Sequence, residues 1–175
     1  MADVRKTLLE TRKFKVVRVE QLTPDGRIHE REIVVHPGAV TIIPMVDQNH
    51  VCLIKNFRVA VGRILIELPA GTLEPNEDPT ETARRELTEE TGYHAEAMTS
   101  LSKFCMSPGI LDEVMYLYLA QGLSPGSASL EDDEQIETHV VPWSAAMEMA
   151  TDGRIEDAKT LVGLFHYDRL RANNP

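Results

Sequence analysis

Three glutamates in one short stretch could do chemistry together: Glu86, Glu89 and Glu90, within residues 71–93, GTLEPNEDPTETARRELTEETGY. Glu86 and Glu90 are four apart and Glu86 and Glu89 three apart, so on a helix all three carboxylates fall on one side. Such crowding near a helix C-terminus is locally unfavourable. Like charges at this spacing cost roughly 0.2–0.5 kcal/mol per pair, and the helix dipole adds to the penalty. A divalent cation reverses that sign. All-oxygen ligands suit a hard ion, Mg²⁺ or Mn²⁺, rather than zinc. The bland alternative is a solvated acidic face partly balanced by Arg84 and Arg85.

The helix that must carry these groups is legible. Asp78 is a good N-cap, Pro79 suits the first helical position, and Glu81 has capping-box spacing. The pattern predicts a helix over 79–91, stopped at Gly92, with Ala83 and Leu87 as its buried stripe.

Around it, alternation predicts strands over 13–20 and 28–36, joined by the turn Thr23-Pro24-Asp25-Gly26 into a hairpin. Residues 40–45 and 51–56 read as a second strand pair about Asp47-Gln48-Asn49-His50. A short strand over 64–68 leads into Pro69-Ala70-Gly71, and further strands are expected near 101–106, 115–120 and 137–141. Residues 122–134 read as a polar, acidic loop, and 143–151 and 158–170 as helices. Mixed strands and helices make the fold class α/β, a sandwich.

Composition sets bounds. At 175 residues, 42% hydrophobic, one domain with a packed core is expected. The formal charge of −10 argues against general affinity for nucleic acid, though not against a phosphate substrate. Two cysteines and no opening apolar segment lead us to expect a reduced, cytoplasmic protein. The six histidines show no metal-ligand spacing.

Gly71, Glu77, Arg85-Glu86-Leu87, Glu89-Glu90 and Gly92 match G-x5-E-x7-R-E-U-x-E-E-x-G-U, with U a large aliphatic residue and Tyr93 in the last slot. That pattern is the Nudix box, and the chain resembles the Nudix hydrolases. Ile66-Glu67-Leu68-Pro69-Ala70-Gly71, the proline of Ser107-Pro108-Gly109 fifteen residues past Tyr93, and Gly153 to Thr160 look like the ADP-ribose pyrophosphatase subgroup. The resemblance covers most of residues 36–170. It implies a Nudix fold, an α/β/α sandwich of mixed sheets with an added N-terminal β-hairpin. The division is 1–36 for the extension and 37–175 for the hydrolase domain.

The same resemblance implies hydrolysis of a nucleoside diphosphate sugar, ADP-ribose to AMP and ribose 5-phosphate. Alternatives are GDP-mannose or another nucleotide sugar, or a sensing module that binds ADP-ribose without turnover. Glu86, Glu89, Glu90 and the Ala70 carbonyl are the implied metal ligands, and Arg85 and Glu77 a structural pair. A loop carboxylate is the implied general base. Glu134 is chosen from Glu131, Asp132, Asp133, Glu134 and Glu137. Arg58, Glu113, Pro108 and Gly109 are the expected substrate contacts; Phe14 would stack on the base or pack in a core or interface. A homodimer is expected, its interface built partly by the N-terminal segment.

Overall fold

The computed structural model describes residues 5–130 and 135–173. Seven strands precede an acidic helix, three more follow it, and two helices close the described residues. The strands are β1 (Lys6–Glu10), β2 (Lys15–Leu22), β3 (Ile28–Val35), β4 (Ala39–Pro44), β5 (His50–Arg58), β6 (Arg63–Glu67), β7 (Ala70–Thr72), β8 (Tyr93–Cys105), β9 (Val114–Pro125) and β10 (Ile136–Pro142). The helices are α1 (Pro79–Thr91), α2 (Trp143–Thr151) and α3 (Ala158–Asn173). Three sheets form among the described residues: β1-β2-β3, β10-β5-β6 and β7-β4-β9-β8. The last is mixed, because β4 runs parallel to β9 and antiparallel to β7. The fold is the expected α/β sandwich, with one more strand at the N-terminus than a hairpin requires.

Strands β4 and β5 do not pair with each other along their length as expected. The turn between them is tight, with Asp47 Oδ1 accepting from the Asn49 and His50 N–H groups at 2.7 and 2.9 Å. Only an isolated bridge, Met45–Val51, follows it; then β4 enters the mixed sheet and β5 the β10-β5-β6 sheet. The physical reason lies in their composition. Both strands are apolar almost throughout, and each needs neighbours on both edges and cover on both faces.

β4 therefore serves two cores. Val40 and Ile42, with Tyr118 and Ala120 of β9, pack on Ala83 and Leu87 of α1. Ile43, with Leu117 and Leu119 of β9, faces Val51 and Leu53 of β5, Trp143 and Met149 of α2, and Leu164 of α3. Period-two alternation along β4 and β9 divides their side chains between these clusters.

The N-terminal sheet reaches the rest of the chain at one end. Val34 donates to the Ile110 carbonyl at 2.8 Å and accepts from the Asp112 N–H at 3.1 Å, while the His36 N–H donates to Asp112 Oδ1 at 2.8 Å. Phe14, expected within a strand, lies instead in the β1–β2 turn. Thr11 holds that turn: its Oγ1 accepts from the Lys13 and Phe14 N–H groups and donates to the Phe14 carbonyl.

Candidate active site

Helix α1 spans the predicted residues. Asp78 caps it by accepting from the Thr80 N–H at 2.8 Å, an interaction worth about 0.5–2 kcal/mol at an N-cap. Gly92 ends it in the left-handed region at φ 74°, donating to the Thr88 carbonyl. Leu87 points into the core, and the adjoining flank of the last turns carries Glu86, Glu89 and the buried Glu90.

Those carboxylates line a cleft of about 480 Å³ with Ala70, Gly71, Arg58, Arg85 and the loop Leu73 to Pro75. Each glutamate is held. Ala70 donates its N–H to Glu90 Oε2 at 2.9 Å, which ties the end of the β6–β7 turn to the helix. Arg85 forks both prongs onto Glu77 (Nε–Oε1 3.1 Å, Nη2–Oε2 3.0 Å), and its Nη1 donates to Glu86 at 2.7 Å and Glu89 at 2.9 Å. These bonds hold Glu77 below the usual carboxylate range and raise the Arg85 pKa. Arg85 thus fixes the loop to the helix and places positive charge between two of the three carboxylates. Gly71 leaves room for the Glu86 carboxylate, which a Cβ at that position would overlap and displace.

The donor chemistry, all oxygen beside a backbone turn, suits a hard divalent cation. As they stand, the carboxylates are turned to Arg85 and to the Ala70 N–H, and no group of three acidic, histidine or cysteine side chains able to hold a metal ion forms among the described residues. Glu86, Glu89 and Glu90, with backbone at Ala70, are the groups that would hold it.

Arg58 lines the same cleft, but its fork is already engaged. Nε and Nη2 donate to the two oxygens of the fully buried Glu67 at 2.7 and 2.6 Å. Arg58, expected as a substrate contact, thus stands in the cleft lining with its fork turned to Glu67. Two cations not read from the sequence also line the cleft, Arg12 and Lys13 at the tip of the β1–β2 turn. Among the described residues neither side chain makes an ion pair. Nothing local in the sequence marks them, because only docking of the N-terminal sheet carries them there. The Thr11-x-Lys13-Phe14 turn chemistry was the one available hint.

Other expected residues lie elsewhere. Pro108 and Gly109 sit in a turn closed by Ile110 and Leu111 N–H bonds to the Ser107 carbonyl, the loop on which β3 docks. Glu113 lies 3.4 Å from His36 Nδ1 beside that junction. None of the three lines the cleft. Glu137 belongs to β10, where Lys55 holds it at 2.9 Å and lowers its pKa. Glu131, Asp132, Asp133 and Glu134 lie outside the described residues.

A carboxylate-bearing helix closed by Arg85, facing a glycine turn in an α/β sandwich, defines a class of hydrolase that acts through bound cations on phosphate anhydrides. The chain belongs to the Nudix family: residues 35–162 match the model described as NUDIX domain. Among its relatives, the methanol dehydrogenase activator of Bacillus methanolicus is 41% identical over 143 residues, 81% of this chain and 77% of that protein. The ADP-ribose pyrophosphatase of Bacillus subtilis (strain 168) is 40% identical over the same length and shares. A crystal structure of an ADP compounds hydrolase superposes with a TM-score of 0.84 at 28% identity, covering 97% of this chain and 93% of that one. The protein is a Nudix hydrolase.

Proposed function

We propose that this hydrolase cleaves the diphosphate of a nucleoside diphosphate sugar, with ADP-ribose as substrate and AMP and ribose 5-phosphate as products. The observation that carries the reading is the convergence of Glu86, Glu89 and Glu90 with the cations Arg12, Lys13 and Arg58 in one cleft. Carboxylates alone would repel a diphosphate; cations alone would bind it without organising an attack. The 40% identity to an ADP-ribose pyrophosphatase, against 34% to a GDP-mannose pyrophosphatase, favours ADP-ribose as the sugar nucleotide.

In the reaction a water oxygen bonds to one phosphorus, and the bridging oxygen leaves with the other phosphate. Glu86, Glu89 and Glu90, with the Ala70 backbone, would hold Mg²⁺ or Mn²⁺, which would supply charge neutralisation at the diphosphate and a more acidic water. Arg85 keeps Glu86 and Glu89 in register, and Gly71 leaves the space that Glu86 occupies. Arg12 and Lys13 receive substrate phosphate, since their charges have no protein partner among the described residues. Glu134 is proposed as the proton acceptor on the strength of its place before β10; full activity in Glu134→Gln would move that role elsewhere.

The N-terminal sheet, in residues 1–36, is proposed as an appendage to the hydrolase domain of residues 37–175 and as part of a homodimer interface. Exposed Leu8 and Leu9 on β1, with Phe57, Val59, Val61 and Ile64 along the β5–β6 hairpin, supply apolar surface for it. Two free cysteines accord with a reducing, cytoplasmic setting.

The test is product analysis on ADP-ribose, GDP-mannose, ADP-glucose and NADH, in Mg²⁺ and in EDTA. Cation-dependent AMP release from ADP-ribose, above the others, is expected. A stronger guanine-sugar activity would reassign the substrate, and binding without turnover would make the protein a sensor.

A further inference from the structure

The segment Gly153–Thr160 stands outside the cleft, yet it ends in a buried polar network that reaches it. Lys159, 6% exposed at the start of α3, donates from Nζ to Glu67 Oε2 and lies 3.0 Å from Asp157 Oδ2. Glu67, on the last residue of β6, takes the Arg58 fork from its other side. Asp157 accepts from the Thr160 N–H at 3.0 Å and from its hydroxyl at 2.6 Å. The Thr160 hydroxyl, its proton so committed, accepts the Leu68 N–H at 2.8 Å.

Leu68 begins the three residues that end at Ala70. All three are pinned from different directions. Thr160 holds Leu68; the Pro69 carbonyl accepts from the Ile42 N–H at 2.9 Å; Ala70 holds Glu90 at 2.9 Å. Helix α3 comes close enough for this because Gly163 has no side chain: a Cβ there would stand 2.6 Å from Leu68 Cδ1. Stability alone does not account for the arrangement. A buried ion network often stabilises no more than apolar residues of the same volume, but it does define geometry.

We infer that Thr160 and Lys159 are positioning residues for the hydrolysis: they fix the Leu68–Ala70 backbone and, through the Ala70 N–H, the orientation of the Glu90 carboxylate toward its cation. The inference rests on the reading of Glu90 as a cation ligand. Lys159 acts by holding Glu67 and Asp157 together, and Asp157 by orienting the Thr160 hydroxyl.

Thr160→Val keeps the volume and removes the hydroxyl, and Thr160→Ser returns it. Mn²⁺ affinity by electron paramagnetic titration, kcat and KM on ADP-ribose, and the melting temperature are measured for each. Outer partners of metal ligands typically contribute about 10–100-fold to affinity or activity. Thr160→Val is therefore expected to lose about tenfold in Mn²⁺ affinity and in kcat, with KM within about twofold, and Thr160→Ser to recover most of both. Lys159→Met, measured in the same way, is expected to shift affinity and kcat in the same direction, and carries the test if Thr160→Val does not fold.

A merely structural role would lower the melting temperature and leave the Mn²⁺ affinity of the folded protein unchanged. That result in both variants, or a loss that Thr160→Ser fails to recover, overturns the inference. A wild type that neither binds Mn²⁺ nor turns over any substrate would overturn the hydrolytic reading of the site, and this inference with it. A wild type that does both beside unchanged variants overturns the inference alone.

Discussion

Gly71 and Glu86 share one small space: the glutamate carboxylate occupies the position where any side chain at residue 71 would begin. The strand that turns into the helix and the helix itself thereby meet through the Glu86 carboxylate.

Gly71→Ala is expected to displace the Glu86 carboxylate without unfolding the protein, because the surrounding cleft is open to solvent. Turnover should fall at least about 100-fold, since misplacement by an ångström costs that much. Steady-state kinetics with a circular dichroism melt would check it; near-normal turnover would mean Glu86 sits elsewhere in the working enzyme.

Glu86→Gln and Glu90→Gln each keep the shape of the side chain and remove charge from the cation site. Each should lower kcat by several orders of magnitude while the melting temperature stays close to wild type. For Glu90→Gln the amide oxygen still accepts from the Ala70 N–H, so any loss reports charge rather than the tether.

Arg12→Ala and Lys13→Ala should raise KM for ADP-ribose about 5–20-fold and leave kcat nearly unchanged, as expected when phosphate is gripped alike in the ground and transition states. The effect should shrink as ionic strength rises. Equal loss in kcat and kcat/KM would instead place the turn's cations on the transition state.

Acid stability should depend on Glu67. Burial alone would raise its pKa, but the Arg58 fork and Lys159 outweigh burial and lower it. A carboxyl with a lowered folded pKa contributes stability that is fully present above its unfolded pKa, 4.5. That contribution is lost as the pH falls through the lower folded value. Below about pH 4.5 the wild type should therefore lose stability more steeply than Glu67→Gln, which is less stable at pH 7. Parallel slopes in urea melts at pH 3–6 would remove Glu67 from the acid transition.

The two thiols should differ sharply. Burial pushes Cys52 up to about 11, whereas Cys105 is exposed. At pH 8 roughly one Cys52 in a thousand is thiolate, and the side chain lies fully buried on β5. Iodoacetamide should label Cys105 in the native protein and Cys52 only after denaturation, as peptide mass analysis would read directly.

Much of the site was legible because its signals are local. Helix α1 runs from Pro79 to Thr91 as its cap, proline and glycine dictate, and the spacing of Glu86, Glu89 and Glu90 puts them on one side whatever surrounds them. The turn at Gly71 and the Arg85–Glu77 pair belong to the same twenty-three residues. What misled were contacts between distant segments. Residues 40–45 and 51–56 read as a strand pair because a turn joins them, but pairing partners are chosen by which apolar faces need cover, and β9 and β10 supply them.

The sequence by itself thus determined the acidic helix, the shared side of its three carboxylates and the family to which the chain belongs, since each is written within a few helical turns. Tertiary structure decided which charges stand around them. It turned the Arg58 fork onto Glu67, brought Lys159 and Thr160 beneath the turn from 92 residues away, and carried Arg12 and Lys13 into the cleft on the edge of a separate sheet. Charge compensation in a buried network depends on distances through space, and no spacing along the chain encodes them.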